Sequence, residues 1–544
     1  MSVHAQGAPT SSPAGLPALI RRPPAWTLAA LLAVVYLILA PQSPDLAAAS
    51  YRSHLFSSFG FTLWDNSWYG GHHLPAYSLL APALGAVLGP ALLAALSMVA
   101  ASALFELATA GRFPPRAARA GAFFFAFGAG IALLSSRVPF DLGLSIGLGS
   151  LVLAQRRRRA PALAAAIVTA VASPVAGAFL ALAAVTWGLA VPAERLRCAA
   201  LAACGLVPIL VLSVAFPEGG TQPFVASAFW PAFLAVAIIG LALAPEQRVL
   251  RIGALLYALA LLGAYVLPSA VGGNVDRLGA LAAGPLAVCG LLDATPRWRH
   301  IAALVLIAPL AYWQLNAPLT DYVSTVGNPG VKESYYAPLL TELRALGVGY
   351  GARPVRIEVV PTVDHWEARY VAPAAMIARG WERQLDRYRN PLFYEDGPPT
   401  LHSYAAWLDE QAISYVALPD APLDYSGKAE ARLVSSPRAR GLLREVWRSP
   451  HWRLFAVLAP RPLAAPPSRL PSARTDSFVL AAPSAGTFEV RLRFTPYWSL
   501  SSGRGCVEEA KGGWTAVRVP GPETVHVGIA FSLARVFDRG ARCR

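Results

Sequence analysis

From Trp26 to Trp313 the chain alternates apolar runs with short polar or basic links. A helix needs about 20 apolar residues to cross a bilayer. Runs at 26–40, within 76–110, and at 120–136, 139–155, 161–191, 198–216, 225–244, 252–268, 278–293 and 301–316 predict about eleven crossings. Segment 161–191 is too long for one helix and short for two, and Ser173-Pro174 at its middle predicts a broken pair turning near one membrane face. Beyond Asn316 the pattern changes. YYAPLLTELRALG reads as an amphipathic helix, RPVRIEVVP as a strand, HWEARYVAPAAMIARGWERQLDRYR as helix with a Gly break, and LHSYAAWLDEQ as helix before the strand ISYVALP. RARGLLREVWRS then HWRLFAVLA repeats the helix–strand order, so 317–465 reads as an α/β domain. After the Pro-rich APRPLAAPPSRLP, alternating segments such as SFVLAA, TFEVRLRFT, WTAVRVP and TVHVGIAFS predict a β-sandwich over 466–544.

Composition separates this chain from soluble proteins: 55% of residues are hydrophobic and 14% charged, with a mean hydropathy of +0.46. The net charge of +15 suggests nucleic acid, but the basic residues cluster where apolar runs end, in RRPPAW, GRFPPRAAR, QRRRRA and PRWRH. That is the pattern of cytoplasmic loops, so nucleic acid is not an expected partner. With Arg21 and Arg22 inside, stretch 42–75 falls outside, the links holding Arg112, Arg116, Arg119, Arg156 to Arg159, Arg195, Arg197, Arg248 and Arg251 fall inside, and the C-terminal region falls outside. Residues 1–24 are polar and Pro-rich and read as a disordered cytoplasmic end. The run after Arg22 has features of a signal peptide; an uncleaved first span keeps the parity. Lysine is nearly absent while Arg, Ala, Gly and Pro abound, which fits GC-rich bacterial coding.

The candidate chemistry lies in the outer stretch 42–82, QSPDLAAASYRSHLFSSFGFTLWDNSWYGGHHLPAYSLLAP. It gathers Asp45, Arg52, His54, Asp65, Asn66, His72 and His73 with Trp64, Trp68, Tyr69 and Tyr77, and a polar loop between spans is where ligand capture concentrates. The bland alternative is an interfacial loop with its aromatics at headgroup level. Arg137 and Arg277 also fall in outer links, either to bind phosphate or to snorkel to lipid. Glycines 121, 128, 130, 143, 147 and 149 within the runs point to close helix packing, since no strand precedes them as a phosphate loop needs. Walker, zinc-spacing and G-x-S-x-G motifs are absent. Cys198, Cys204 and Cys289 lie in or beside spans, while Cys506 and Cys543 share the outer β-region, where a bridge is permitted.

An acid just after the first span, then an aromatic, a Gly and a Pro-containing entry to the next helix, resembles the GT-C membrane glycosyltransferases; here these are Asp45, Tyr51, Gly60 and LPAYSLLAPAL. GWERQLDRYRNPLFY and FTPYWSLSSGRGCVEEAKGGWTAV resemble the outer domains of YfhO-type bacterial envelope proteins. The resemblance implies a polytopic α-helical bundle over 25–316 with an outer catalytic loop, in a bacterial plasma membrane. It implies an inverting glycosyltransferase that moves a sugar from a polyprenyl-phosphate donor to a cell-envelope glycan or lipid acceptor. Asp45 is followed by Leu46 where the family often pairs two acids, which leaves metal use open. In chemical terms Asp45 can serve as base with Asp65 as an auxiliary residue, and Arg52, Arg137 and Arg277 can hold phosphate. His72 and His73 either donate to phosphate or join Asp65 around a divalent cation, Mg or Mn. Trp64, Trp68, Tyr69, Trp366 and Trp381, with Tyr388, Tyr394, Tyr404 and Trp407, offer stacking faces for an acceptor sugar or are core aromatics, and Asp364, His365 and Glu367 form an acidic cluster beside them. Two other classes fit the same chain: a multi-span transporter of the major-facilitator kind, and a non-catalytic envelope scaffold. The scarcity of intramembrane charge and the lack of an internal repeat weigh against the transporter.

Overall fold

The structure is a computed structural model describing residues 23–292, 297–351, 354–395, 397–537 and 543. The expected disordered stretch lies outside these residues apart from Pro23 and Pro24. Helices α1 (Trp26–Leu39) and α2 (Pro44–Phe59) meet at a bend of 77°. The bundle continues through α3 (Ala81–Leu88), α4 (Pro90–Thr109), α5 (Pro115–Ala132), α6 (Val138–Gln155), α7 (Arg159–Ala172), α8 (Pro174–Ala190), α9 (Arg195–Ala215), α10 (Ala226–Ala242), α11 (Arg248–Val266), α12 (Asp276–Leu291) and α13 (Trp298–Thr325). The chain breaks at Ser173, whose hydroxyl caps α8 by accepting from the Ala176 amide while Pro174 starts the new helix.

Among the described residues five helices are long and apolar enough to cross a membrane, or six if the bent pair counts as one span. The expected eleven crossings therefore meet fewer full-length spans; α7, α8 and α10 are apolar but shorter. The last helix also overruns its expected end at 316 and reaches Thr325, carrying Asp321 inside it. Glycine does what close packing requires: a Cβ on Gly121 would meet the Cys289 sulfur at 2.2 Å, and one on Gly143 would meet Ser173 at 2.7 Å.

Beyond α14 (Glu333–Ala345), strands β3 (Arg356–Val359), β4 (Met376–Ile377), β5 (Ile413–Pro419), β6 (Leu443–Arg448) and β7 (Trp452–Val457) form one mixed sheet in the order β4-β3-β5-β7-β6. The segment 443–448, expected as helix, is an edge strand because it pairs antiparallel with β7 across a short turn. The 366–389 region keeps only short helical turns, Glu367–Tyr370 and Arg383–Arg389. The C-terminal strands β8 (Arg469–Arg474), β9 (Ser477–Ala482), β10 (Gly486–Arg493), β11 (Trp498–Ser502), β12 (Cys506–Ala510), β13 (Trp514–Val519) and β14 (Glu523–Ile529) make two sheets, β10-β13-β12 and β11-β14-β9-β8. Their facing apolar positions, Phe478, Leu480, Val490, Val517, Val525 and Val527 among them, form a sandwich core. Cys506 and Cys543 are bonded, with Cα atoms 5.3 Å apart.

Stretch 60–80 holds these parts together. Strands β1 (Trp64–Asp65) and β2 (His72–His73), a two-residue ladder, lie between the α/β sheet and the sandwich. Trp68 bridges to Ile377, the Asn66 amide donates to the Thr475 carbonyl, and the Arg493 amide donates to the Gly70 carbonyl. Gly70 and Gly71 have φ of +76° and +134°, and a Cβ on Gly71 would lie 2.2 Å from the Trp64 indole. Only glycine fits there.

The α/β domain contacts the bundle end that carries Ser135 and Asp321, while Arg112, Arg116 and Arg156 to Arg159 sit at the opposite helix ends. A cysteine introduced at exposed Arg444 should take an impermeant thiol reagent in intact spheroplasts, and one at Arg157 only after permeabilisation. The reverse pattern would invert the orientation.

Candidate active site

Asp45 stands in the first turn of α2, just past the bend, and two indoles of the α/β domain fix its backbone. Trp366 donates through Nε1 to the Gln42 carbonyl at 3.0 Å, and Trp381 to the Pro44 carbonyl at 2.7 Å. Neighbouring Ser43 donates to the Ser135 carbonyl at 2.8 Å, joining this turn to the loop before α6. From that loop Arg137 reaches Asp45, Nε to Oδ2 at 3.3 Å, and approaches Asp321 of α13 at 3.9 Å. Ser135 in turn donates to Asp321 at 2.5 Å.

Arg277, in the first turn of α12, faces the same place. Its guanidinium lies 5.6 Å from the Phe140 ring and interacts through space with Asp45, Arg137, Asp141 and Tyr77. Among the described residues no carboxylate is at ion-pair distance from it. Asp141, in the first turn of α6, is buried with its Oδ2 unpaired. The mouth of the bundle thus gathers four carboxylates, Asp45, Asp141, Asp276 and Asp321, with Arg137 and Arg277, at the ends of α2, α6, α12 and α13. Charges so placed are costly unless a function or a ligand uses them.

The rest of the expected site residues lie elsewhere. Asp65 is fully buried and accepts from the Tyr51 hydroxyl and the Ser67 amide, both at 2.9 Å, so it fastens the hairpin and offers no oxygen to a substrate. Burial raises its pKa, with Ser67, Tyr51 and Arg52 opposing. Arg52 is buried against Glu382 and lies 4.0 Å from the Tyr77 ring, which makes it a tie between α2 and the α/β domain. His72 stacks on Trp68 at 5.4 Å, and burial followed by Arg52 holds its pKa well below the usual value, so it stays neutral. His73 is 2.9 Å from Glu218 and 3.0 Å from Thr495. Among the described residues no three His, Cys, Asp or Glu side chains converge as a metal would need, and Asp65, His72 and His73 do not form a ligand set.

Trp64, Trp68 and Tyr69 are at most 1% exposed and pack in the core, so they present no face to a sugar. Trp366, 2% exposed, and Trp381 act through their N–H groups on the Asp45 turn. Asp141 and Asp321 escaped the sequence reading. The signal for Asp141 was an acid four residues after an outer arginine, inside an apolar run; Asp321 carried none, since its helix was expected to have ended.

Asp364, His365 and Glu367 form an internal network rather than a site. Asp364 accepts from Ser324 and Asn328, and His365 lies between Glu367 at 3.1 Å and Asp424 at 3.7 Å. Arg383 pairs with both oxygens of Asp424 at 2.7 Å. Burial opposes a charged His365, but hydrogen bonds to Asp424 and Glu367 outweigh it and raise its pKa to about 9.

These features define a multi-helix membrane protein whose bundle carries a charged mouth covered by the α/β domain. No protein-family model matches the chain and no curated protein matches it. Among solved structures it is similar to the archaeal oligosaccharyltransferase AglB from Archaeoglobus fulgidus, determined with an inhibitory peptide and a dolichol-phosphate. The similarity covers 73% of this chain and 69% of that one, at 14% identity and a TM-score of 0.37. At that score the likeness carries no argument about activity.

The His365 network gives a pH prediction. A folded pKa near 9, above the unfolded value of about 6.5, means stabilisation that is full below the unfolded value and is lost as pH rises through 9. The wild-type advantage over His365→Gln should be on the order of 3 kcal/mol at pH 6 and shrink at pH 10. Thermal unfolding at both pH values checks this, and an advantage that does not fall with pH contradicts it.

Proposed function

We propose that this chain transfers a sugar from a polyprenyl-phosphate donor to a hydroxyl acceptor at the outer face of the membrane. The carrying observation is Asp45 at the bundle mouth, paired with Arg137 and faced by Arg277, with Asp141 and Asp321 beside them and Arg277 lacking a carboxylate at ion-pair distance among the described residues. A lipid donor keeps its tail in the bilayer and its phosphate at this depth. Arg277 and Arg137 bind the phosphate, where charge-assisted hydrogen bonds are strongest. Asp45 accepts the proton of the acceptor hydroxyl as its oxygen bonds to the anomeric carbon. The bond from that carbon to the phosphate oxygen breaks, and the phosphate leaves with the electron pair, so direct displacement inverts the anomeric configuration. The arginines neutralise the charge that develops on the leaving group.

Phosphate arrival also alters the base. Arg137 shares its charge between Asp45 and the incoming anion, which frees the carboxylate to accept a proton. A cell-envelope glycan or lipid suits an acceptor that arrives from the water side, past the α/β domain. These charged groups sit at helix ends, at the start of α2, α6 and α12 or near the end of α13, and none of them lies midway through the bundle. That placement favours surface chemistry over alternating-access transport.

The test is transfer of radiolabelled sugar from a lipid-linked donor in proteoliposomes. Asp45→Asn should fold, bind donor and lose about a hundredfold to ten-thousandfold in rate. Arg277→Gln should mainly weaken donor binding, by about tenfold to a hundredfold, the worth of a hydrogen bond to a charged group. Asp65→Asn should instead lower stability, since its oxygens serve the hairpin. Near-normal transfer by well-folded Asp45→Asn would sink the proposal.

A further inference from the structure

The outer end of α9 fixes a depth in the membrane. Its last turns turn Leu210 and Val211 outward, 63% and 59% exposed, as a lipid-facing surface would. At that end the β-sandwich comes down onto the helix. Tyr497 donates to the Ala215 carbonyl at 2.5 Å, and Phe531 stacks on Phe216 with ring centres 5.9 Å apart. Val536, from the short helix Leu533–Phe537, packs in one cluster with Ala215, Phe216 and Tyr497, bordered by Leu63 and by Leu212, which lies nearly one turn further into the bundle. The short helix therefore sits level with the last turn of a membrane-facing helix. From it Leu533 and Phe537 project outward, 72% and 82% exposed, beside Phe531 at 49%.

We propose that this segment, Phe531 to Phe537, is a membrane hook: Leu533 and Phe537 insert among the outer-leaflet lipids and anchor the sandwich to the bilayer. Lipid is the occupant because the short helix packs through Val536 on Ala215 and Phe216 at the end of α9, a helix whose Leu210 and Val211 are themselves exposed apolar residues. Its rigidity suits the task. Arg535 donates to the carbonyls of Tyr497, Trp498 and Ala530 and to the Ser499 hydroxyl, so the short helix is fixed to the sandwich. Downstream, the Cys506–Cys543 bond returns the chain to β12, which keeps both flanks of the hook on one domain. The charged side chain faces protein and the apolar ones face out, the arrangement of an interfacial anchor.

Site-directed fluorescence tests it. Cys198, Cys204 and Cys289 are replaced by Ala, and Phe537→Cys carries an environment-sensitive dye in nanodiscs of phosphatidylethanolamine and phosphatidylglycerol. Leu533→Cys serves as a second position should the first variant fail to fold, and Arg444→Cys as a water-exposed reference. The hook predicts that the dye at 537 or 533 is quenched by lipids spin-labelled near the headgroup and shielded from aqueous iodide, with Arg444→Cys showing the opposite. Quenching by iodide alone, as at 444, would overturn the proposal. So would shielding from both quenchers with crosslinking between two copies, which assigns the patch to self-association.

Discussion

Burial of the first outer loop is the constraint on which the other contacts depend. Ten consecutive residues, Trp64 to His73, are buried, and three bodies meet around them: the bundle, the α/β sheet and the sandwich. One apolar core runs from Tyr36, Leu93 and Phe125 in the bundle, through Tyr51 and Trp68, to Ile357, Trp366 and Trp452 in the α/β domain. Each buried indole removes about 200 Å² from water, worth roughly 5 kcal/mol at the usual area coefficient. The outer domain is therefore not a tethered appendage. It is packed to the membrane part as one layer of a fold packs on another.

Buried charge runs along the same axis. Several ionic groups inside the junction are paired, Arg52 with Glu382, Arg379 with Asp386 and Glu430, Arg383 with Asp424, while Arg52 Nε and Nη1, both His72 ring nitrogens and both Glu358 oxygens lack a hydrogen-bond partner among the described residues. At the bundle mouth one oxygen of Asp141 is likewise unpaired, and among the described residues no carboxylate is at ion-pair distance from Arg277. Burying a charge without compensation costs several kcal/mol.

The sequence disclosed the helices by the length and uniformity of their apolar runs, and the sandwich by strict alternation. Asp45 stood out as an acid just past the first apolar run, and Arg137 and Arg277 because they break the sorting of basic residues to the inner ends. Long-range contact hid the remainder. Trp64, Trp68, Asp65 and His72 look like a ligand-binding loop because nothing nearby covers them; what covers them lies some three hundred to four hundred residues later, at Ala368, Ile377 and Thr475. Residues 443–448 were read as helix because local propensity cannot see the partner strand β7. Asp321 was hidden by a helix that runs on past its apolar stretch because it leads directly into the α/β domain.

The indole bonds from Trp366 and Trp381 to the turn around Asp45 carry a consequence for biogenesis. The acidic turn is synthesised early, yet the groups that hold it come more than three hundred residues later. During synthesis the mouth stays unformed while every helix of the bundle is already being inserted. It closes only when the α/β domain has been made and has folded back onto the bundle. Completion of the chain is thereby written into the fold: a chain stalled or truncated before Trp366 lacks the two indoles and leaves its acid unplaced.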